Sequence, residues 1–152
     1  LFHLMIEIYT DGSCLKNPGN GGWAAIINKD GNITKISGSE KDTTNNRMEL
    51  LAVIVGLEAL NQKCKVNVYS DSKYVVDSVE KGWVFNWEKK GFLSKKNIDL
   101  WKRFLIVFSK HIVRLHWIKG HDGNKYNEIC DQLAVKAADG NQLLPDIGYN
   151  PN

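Results

Sequence analysis

The chain has 152 residues, of which 43% are hydrophobic and 24% are charged, and its mild net charge of +3 fits one ordinary globular domain. No apolar run approaches the roughly 20 residues of a membrane span, and the first residues lack the features of a secretory signal. The three cysteines form no Cys-x-x-Cys pair, which argues against a disulfide framework or a structural zinc site and favours the cytoplasm.

The first part of the chain predicts an antiparallel meander of three strands. Residues 5–13 alternate in hydrophobicity, and they are followed by a loop of turn-forming residues at 17–22. Residues 23–28 and 33–37 are the next two strands, and the Asp-Gly pair in the turn at 29–32 is a strong hairpin signal.

The rest of the chain predicts helices alternating with two further strands. Thr43 to Asn46 supply N-cap chemistry for a helix that runs to about residue 61. The remaining elements are a strand at 66–71, a helix capped by Ser72 and ending near Val79, a helix that begins at Asn97 or Asp99, a strand at 112–118 and a helix at about 125–138. We expect one domain over 1–152, with a leader at 1–4 and a loose tail from about 140 to 152.

The charge of the chain is unevenly distributed. Residues 81–103, which we call the basic segment, contain seven cations against two acids, a local charge of +5, so the remainder carries −2. Trp83 and Trp87 are interleaved there with lysines such as Lys89 and Lys90. The segment is either a solvated charge run over core aromatics or a groove that binds phosphates and stacks on sugars or bases. A basic segment on a slightly acidic body favours a polyanionic partner.

Two strands of the chain carry nearly the same sequence. Residues 6–11, which end in Asp11, align without a gap with residues 66–71, which end in Asp71. If the two strands are parallel neighbours, the two aspartates lie at the same end of the sheet. Carboxylates held so close repel each other unless a cation lies between them, so a divalent metal site is the first hypothesis.

Three further residues are candidates for the same site, and each has a plainer alternative. Glu49 forms a capping box with Asn46, or it continues the apolar stripe of its helix and faces the sheet. Asp131 is a solvated helix residue, or it lies on the helix face that packs on the sheet, which it shares with Asn127, Ala134, Val135 and Ala138. His121, in a glycine-flanked loop, is a surface histidine or a proton shuttle beside the carboxylates.

Together these residues belong to motifs that resemble those of type 1 ribonuclease H in its bacterial form. The motifs are Tyr9–Cys14, Asn17-Pro18-Gly19, Thr44–Glu49, Tyr69–Val75, Lys119-Gly120-His121 and Asn127–Asp131. The basic segment is similar to the basic protrusion of that form. The resemblance implies an α/β ribonuclease H-like fold, with a five-stranded mixed sheet flanked by helices. Strands 1–3 would form an antiparallel meander, and strands 1, 4 and 5 would be parallel.

The resemblance also implies an endonuclease that cuts the RNA strand of RNA–DNA hybrids. The roles of single residues follow only from this resemblance. Asp11, Glu49, Asp71 and Asp131 would bind two Mg²⁺ ions, with Mn²⁺ as a substitute, and His121 would assist proton transfer or product release. The RNA strand would contact Cys14, Asn17, Asn45 and Lys73, the last of which is often Gln in the family. The DNA strand would contact Thr44, Asn46, Trp83, Trp87, Lys89, Lys90 and Asn97. Thr44 and Asn97 match a pocket that binds a DNA phosphate in the family. Asp42 departs from the family at that pocket, because a basic residue often stands at its position.

The two-metal chemistry would leave a 5′-phosphate and a 3′-hydroxyl, and the working form is expected to be a monomer. Two alternatives remain at this stage. A binding module of the same fold would grip a hybrid or double-stranded RNA without cutting it, although all four acids are present. A relative that cleaves DNA junctions would share the acids, but the Trp-rich basic segment and the asparagines argue against it.

Overall fold

A mixed sheet of six strands forms the centre of the computed structural model, which describes residues 4–120, 123–140, 144–146 and 148–149. Its spatial order is β5-β4-β1-β2-β3-β6. The strands are β1 (Leu4–Cys14), β2 (Gly19–Lys29), β3 (Asn32–Thr43), β4 (Cys64–Ser70), β5 (Ile112–Trp117) and β6 (Leu144–Pro145). The helices are α1 (Asn45–Glu58), α2 (Lys73–Glu80), α3 (Trp83–Lys89), α4 (Ile98–Phe108) and α5 (Lys125–Ala138).

The strand pairing confirms the predicted arrangement. The strands β1, β2 and β3 form an antiparallel meander, whereas β1, β4 and β5 are parallel. In the β1–β4 pair Tyr9 lies opposite Tyr69 and Thr10 lies opposite Ser70. The two similar segments are therefore neighbours in register, and Asp11 and Asp71 follow at the same end of the sheet.

Helices cover both faces of the sheet. On one face of the sheet lies α1, which is buried on nearly every side, whereas a single apolar stripe was expected. The reason is that α4 packs on the outer side of α1 with the buried rings of Trp101 and Phe104. On the other face α5 packs on β1 and β2. Among the described residues, no helix is long and apolar enough to cross a membrane.

Three elements, α3, β2 and β3, differ from the sequence-based expectation. The basic segment contains the helix α3, which the search for apolar periodicity missed because only Val84 of this short helix is buried. The strands β2 and β3 extend to Gly19 and Thr43, so that part of the expected glycine-rich loop is strand. The helix α4 has Asn97 as its N-cap, which is one of the two expected caps, and Asn97 has a left-handed backbone.

The expected loose tail is wrong for part of its length. Residues 144–145 add the short parallel strand β6 to β3. Beyond it, Asp146 Oδ2 accepts hydrogen bonds from Arg47 Nε and from the Thr43 hydroxyl, both at 2.6 Å. Asp99 binds the other edge of the same guanidinium, at 2.7 and 2.9 Å. Arg47 is 1% exposed, so a buried cation ties the tail and the start of α4 to α1.

Candidate active site

Three carboxylates from three elements meet near the carboxyl ends of β1 and β4. Asp11 lies in β1, Glu49 in the first turn of α1, and Asp71 directly after β4. One oxygen atom of each lies within 4.8 Å of the others. Carboxylate oxygens at this spacing are the ligands that a hard divalent cation such as Mg²⁺ or Ca²⁺ takes in proteins. The structure thus brings together three of the four predicted metal ligands.

Glu49 faces the sheet rather than capping its helix. The N-cap of α1 is Thr44, whose side chain accepts a hydrogen bond from the Arg47 N–H, so the capping box with Asn46 is wrong. Glu49 Oε1 accepts a hydrogen bond from the Gly12 N–H. A side chain at Gly12 would collide with the backbone of α1 at Met48 and Glu49, which is why glycine follows Asp11.

The carboxylate cluster is electrostatically strained without a cation. Burial, followed by the charges of Asp71 and Asp131, raises the pKa of Asp11 to about 7. Burial and the charge of Asp11 also raise the pKa of Glu49 well above its ordinary value. Among the described residues Glu49 Oε2 is buried without a hydrogen-bond partner. An unpartnered buried oxygen among repelling acids fits a bound divalent cation, which would favour the ionised form of each group.

Asp131 lies on α5 and lines the same cleft as the three clustered acids. It is half-buried, and its helix face behaves largely as expected, since Asn127, Ala134 and Ala138 are buried. The prediction for Val135 is wrong, because that side chain is 41% exposed. The fourth predicted ligand therefore borders the site without belonging to the tight three-carboxylate cluster.

The predicted RNA contacts surround these acids. Cys14, Asn45 and Lys73 line the cleft. Asn17 lies beside it, and its side-chain oxygen accepts a hydrogen bond from the Asn45 N–H at 3.2 Å. His121 lies outside the described residues. Gly120, the residue before His121, is close to the cleft: a Cβ atom placed on it would lie 2.8 Å from Asp71 Oδ2.

The predicted phosphate pocket is a separate cavity of about 460 Å³. Thr44, Asn46 and Asn97 all line it, and Asn17 reaches its edge from the cleft side. Asp42 does not line this cavity; it is an exposed residue with a φ of 56°. The pocket is thus assembled from the start of α1 and the start of α4, the two places that Arg47 holds together.

The aromatic part of the basic segment forms a third surface. Trp83, Trp87 and Lys90 line one groove, whereas Lys89 is exposed but does not line it. Lys95 Nζ lies 5.2 Å from the centre of the Trp87 ring, which is cation–π distance. Because Trp83 is 43% exposed, its ring is available to a ligand.

The sequence matches the family model described as RNase H over residues 4–139. The chain belongs to the RNase H family. A ribonuclease H of Pseudoalteromonas translucida is 49% identical over 151 residues, which cover 96% of this chain and 97% of that protein. A ribonuclease H of Trichodesmium erythraeum is 50% identical over 149 residues, 95% of each chain. Membership in this family identifies the activity as that of a ribonuclease H, a hydrolytic endonuclease.

Solved structures of RNase H proteins share the fold. LC9-RNase H1, described as a type 1 RNase H with the type 2 active-site motif, superposes with a TM-score of 0.82 at 30% identity, covering 93% of this chain and 75% of that one. LC11-RNase H1, solved in complex with an RNA/DNA hybrid, gives a TM-score of 0.67 at 26% identity, covering 88% of this chain and 96% of that one.

Several residues at this RNase H site were not among the predicted site residues. Ser13, Ser72 and Tyr74 line the acidic cleft, and Lys95, Lys96, Gly148 and Tyr149 line the phosphate pocket. The two serines follow Asp11 and Asp71 closely in sequence, and that position could have revealed them. Tyr149 had no such signal, because only the folded tail brings it to α4.

Proposed function

We propose that this RNase H hydrolyses the RNA strand of RNA–DNA hybrids with two Mg²⁺ ions and leaves a 5′-phosphate and a 3′-hydroxyl. The observation that carries the proposal is the convergence of Asp11, Glu49 and Asp71 within 4.8 Å, with Asp131 lining the same cleft. These four acids would hold the ions. Burial of like charges is unfavourable unless cations compensate it, so the cluster has a chemical reason to bind metal.

Three surfaces around the acids support a hybrid as the substrate: the lining of the cleft, the phosphate pocket and the Trp-Lys groove. Amide, hydroxyl and thiol groups line the cleft beside the carboxylates, and these groups can exchange hydrogen bonds with a 2′-hydroxyl, which DNA lacks. We assign the RNA strand to Cys14, Asn17, Asn45 and Lys73. The phosphate pocket and the Trp-Lys groove lie at separate positions and suit a second strand. The related LC11-RNase H1 was solved with such a hybrid.

The second strand would be DNA, held by its phosphates. We assign this role to Thr44, Asn46 and Asn97 in the pocket and to Trp83, Trp87, Lys89 and Lys90 in the basic segment. Backbone contacts position a duplex without reading its bases, so sequence preference should be weak. Lys95 and Lys96 both line the phosphate pocket and would supply there the positive charge that Asp42 cannot supply.

In the reaction the protein's residues hold and orient the carboxylates that would bind the metal ions. When bound, the metal ions would lower the pKa of an attacking water and stabilise the leaving 3′ oxygen. Glu49 is fixed by the Gly12 N–H and Asp11 by the same N–H at 2.9 Å, so their carboxylates keep one orientation. We assign proton transfer or product release to His121, whose ordinary pKa lies near neutrality.

We further propose that the enzyme works as a monomer in the cytoplasm. The three cysteines are free thiols, two of them buried, which suits a reducing compartment.

The proposal is tested with matched end-labelled RNA–DNA, RNA–RNA and DNA–DNA duplexes, with and without Mg²⁺. We expect cleavage only of the RNA strand of the hybrid, only with Mg²⁺, and with 5′-phosphate products. Asp71→Asn should reduce cleavage to background while hybrid binding is nearly unchanged. Asp30→Asn, in the β2–β3 turn, is the matched control and should cleave normally. Cleavage of all three duplexes, or normal activity of Asp71→Asn, would refute the assignment.

A further inference from the structure

Trp117 is an aromatic residue at the rim of the acidic cleft that the proposed mechanism does not use. It is the last residue of β5 and lies opposite Ser70 of β4, one position before Asp71. It is 45% exposed, which is unusual for a tryptophan beside a buried strand. Its indole Nε1–H donates a hydrogen bond of 3.0 Å to the main-chain carbonyl of Asp71.

The face of the same indole carries a cation. Lys73 Nζ lies 4.7 Å from the centre of the Trp117 ring, within the distance of a cation–π interaction. Lys73 is the first residue of α2, and a cation at a helix N-terminus is unfavourable with respect to the helix dipole. Helix stability therefore does not explain a lysine at this position, whereas Lys73 does line the cleft with Asp71.

We propose that Trp117 is a positioning residue with two separable effects, an inference that rests on the proposed function. Its ring holds the Lys73 ammonium at the mouth of the cleft, where that cation binds a phosphate of the RNA strand. Its N–H fixes the backbone of Asp71 and so the direction of one metal-binding carboxylate. The phosphate contact belongs to Lys73 as a cation; a glutamine there would offer hydrogen bonds but no charge.

The two effects predict different phenotypes for two substitutions of one residue. Trp117→Phe keeps an aromatic face under Lys73 but removes the N–H donor. It should raise the Mg²⁺ concentration for half-maximal activity and leave hybrid affinity close to that of the wild type. Trp117→Leu removes both, so it should also weaken hybrid binding about two- to fivefold, the factor that an exposed cation–π contact provides.

Hybrid binding is measured without divalent metal, so that the RNA stays intact, across a series of salt concentrations. Lys73→Gln should lower the slope of log affinity against log salt by about one, as the loss of a single phosphate contact does. In the Lys73→Gln background, Trp117→Leu and Trp117→Phe should bind equally well, because the cation that the ring holds is gone. Lys65→Gln, an exposed lysine earlier in β4, is the control and should change neither slope nor metal dependence.

Two results would overturn the inference. An unchanged salt slope in Lys73→Gln would show that this lysine binds no phosphate. A Trp117→Leu protein with wild-type affinity and wild-type Mg²⁺ dependence would show that the ring positions nothing. Thermal unfolding of each variant separates these outcomes from loss of the fold. If the wild type does not cleave the hybrid with Mg²⁺, the proposed function fails instead, and the binding measurements still report on Lys73.

Discussion

At the scale of single residues, the decisive feature is a pair of acids that share one donor. Asp11 Oδ1 and Glu49 Oε1 both accept a hydrogen bond from the Gly12 N–H. One N–H cannot compensate two buried negative charges, and burial raises the pKa of both groups, that of Asp11 to about 7. Burial of these two acids therefore lowers the free energy of unfolding of the metal-free protein.

The sign of this effect sets its pH window. Asp11 has a pKa of 3.8 in an unfolded chain and about 7 in the folded protein. Below pH 3.8 both states are protonated and the group imposes no penalty. As the pH rises from 3.8 to about 7 the unfolded state is increasingly favoured, because only there is the acid ionised, and above about 7 the penalty is constant. The stability of the metal-free protein should therefore fall across this window.

Asp11→Asn should accordingly be more stable than the wild type when no metal is bound. We expect a gain of roughly 2 to 4 kcal/mol at pH 8, shrinking towards zero near pH 4, because a pKa shift of one unit corresponds to about 1.4 kcal/mol. The measurement is urea unfolding with a chelator present at several pH values. Mg²⁺ should stabilise the wild type more than the variant, and Asp30→Asn serves as the control. A gain that is the same at all pH values would contradict the electrostatic explanation.

At the scale of elements, the clamp around Arg47 joins three pieces of the chain. The guanidinium binds Asp99 at the start of α4 and Asp146 after β6, while its own backbone belongs to α1. Burial alone would lower the pKa of Arg47, but its hydrogen bonds to Asp99 and Asp146 outweigh that effect and raise it. The same arrangement brings Thr44 and Asn97 to the lining of one phosphate pocket.

Asp146→Asn should therefore weaken both the fold and the pocket. We expect the free energy of unfolding to fall by about 2 to 3 kcal/mol, the range for hydrogen bonds to a charged group, with Asp99 still balancing the arginine. The KM for the hybrid should rise more than kcat falls, because the proposed metal ligands are untouched. The control is Glu58→Gln, which removes a half-exposed pair with Arg103 and should cost less than about 1 kcal/mol. Equal losses in the two variants would contradict a special role for the buried clamp.

The elements that sequence analysis predicted well are those with a strong local pattern. The meander of β1, β2 and β3 was predictable from local alternation and the Asp-Gly turn. The parallel pairing of β1 with β4 was a hypothesis from their similar sequences, and the arrangement of all five strands came from the family resemblance. The helix α3 was not predictable, since a short helix with one buried residue leaves no apolar period. The strand β6 was missed for a different reason: its pairing with β3 depends on Arg47, nearly 100 positions earlier.

The candidate site follows the same division. Asp11, Glu49 and Asp71 could be named from the sequence because each occurs in a local motif, and strand pairing brings them together. Trp117 could not, because its hydrogen bond to the Asp71 carbonyl and its contact with Lys73 arise only when β5 lies beside β4. Contacts that depend on packing between distant elements leave no periodic signal in the chain.

At the scale of the whole molecule, charge is separated between the basic segment, at +5, and the rest of the chain, at −2. The acidic cleft attracts cations while the basic segment attracts phosphates, so a duplex can approach the metal centre despite the negative charge there. If this separation of charge guides the duplex, binding of the hybrid depends on particular lysines of the basic segment and not on the net charge of the protein alone.

Replacing Lys89 and Lys90 together with Gln tests this dependence. The double variant should bind the hybrid more weakly, and its slope of log affinity against log salt should be smaller by about one to two, since each phosphate contact releases about one counterion. Replacing Lys29 and Lys35, two exposed lysines at the β2–β3 hairpin, changes the net charge by the same amount. If binding depended on net charge, both double variants would weaken it equally between about 50 and 200 mM salt. We expect the hairpin variant to keep the wild-type slope, because charges farther apart than about 10 Å are largely screened in that range, so only lysines that touch the backbone contribute.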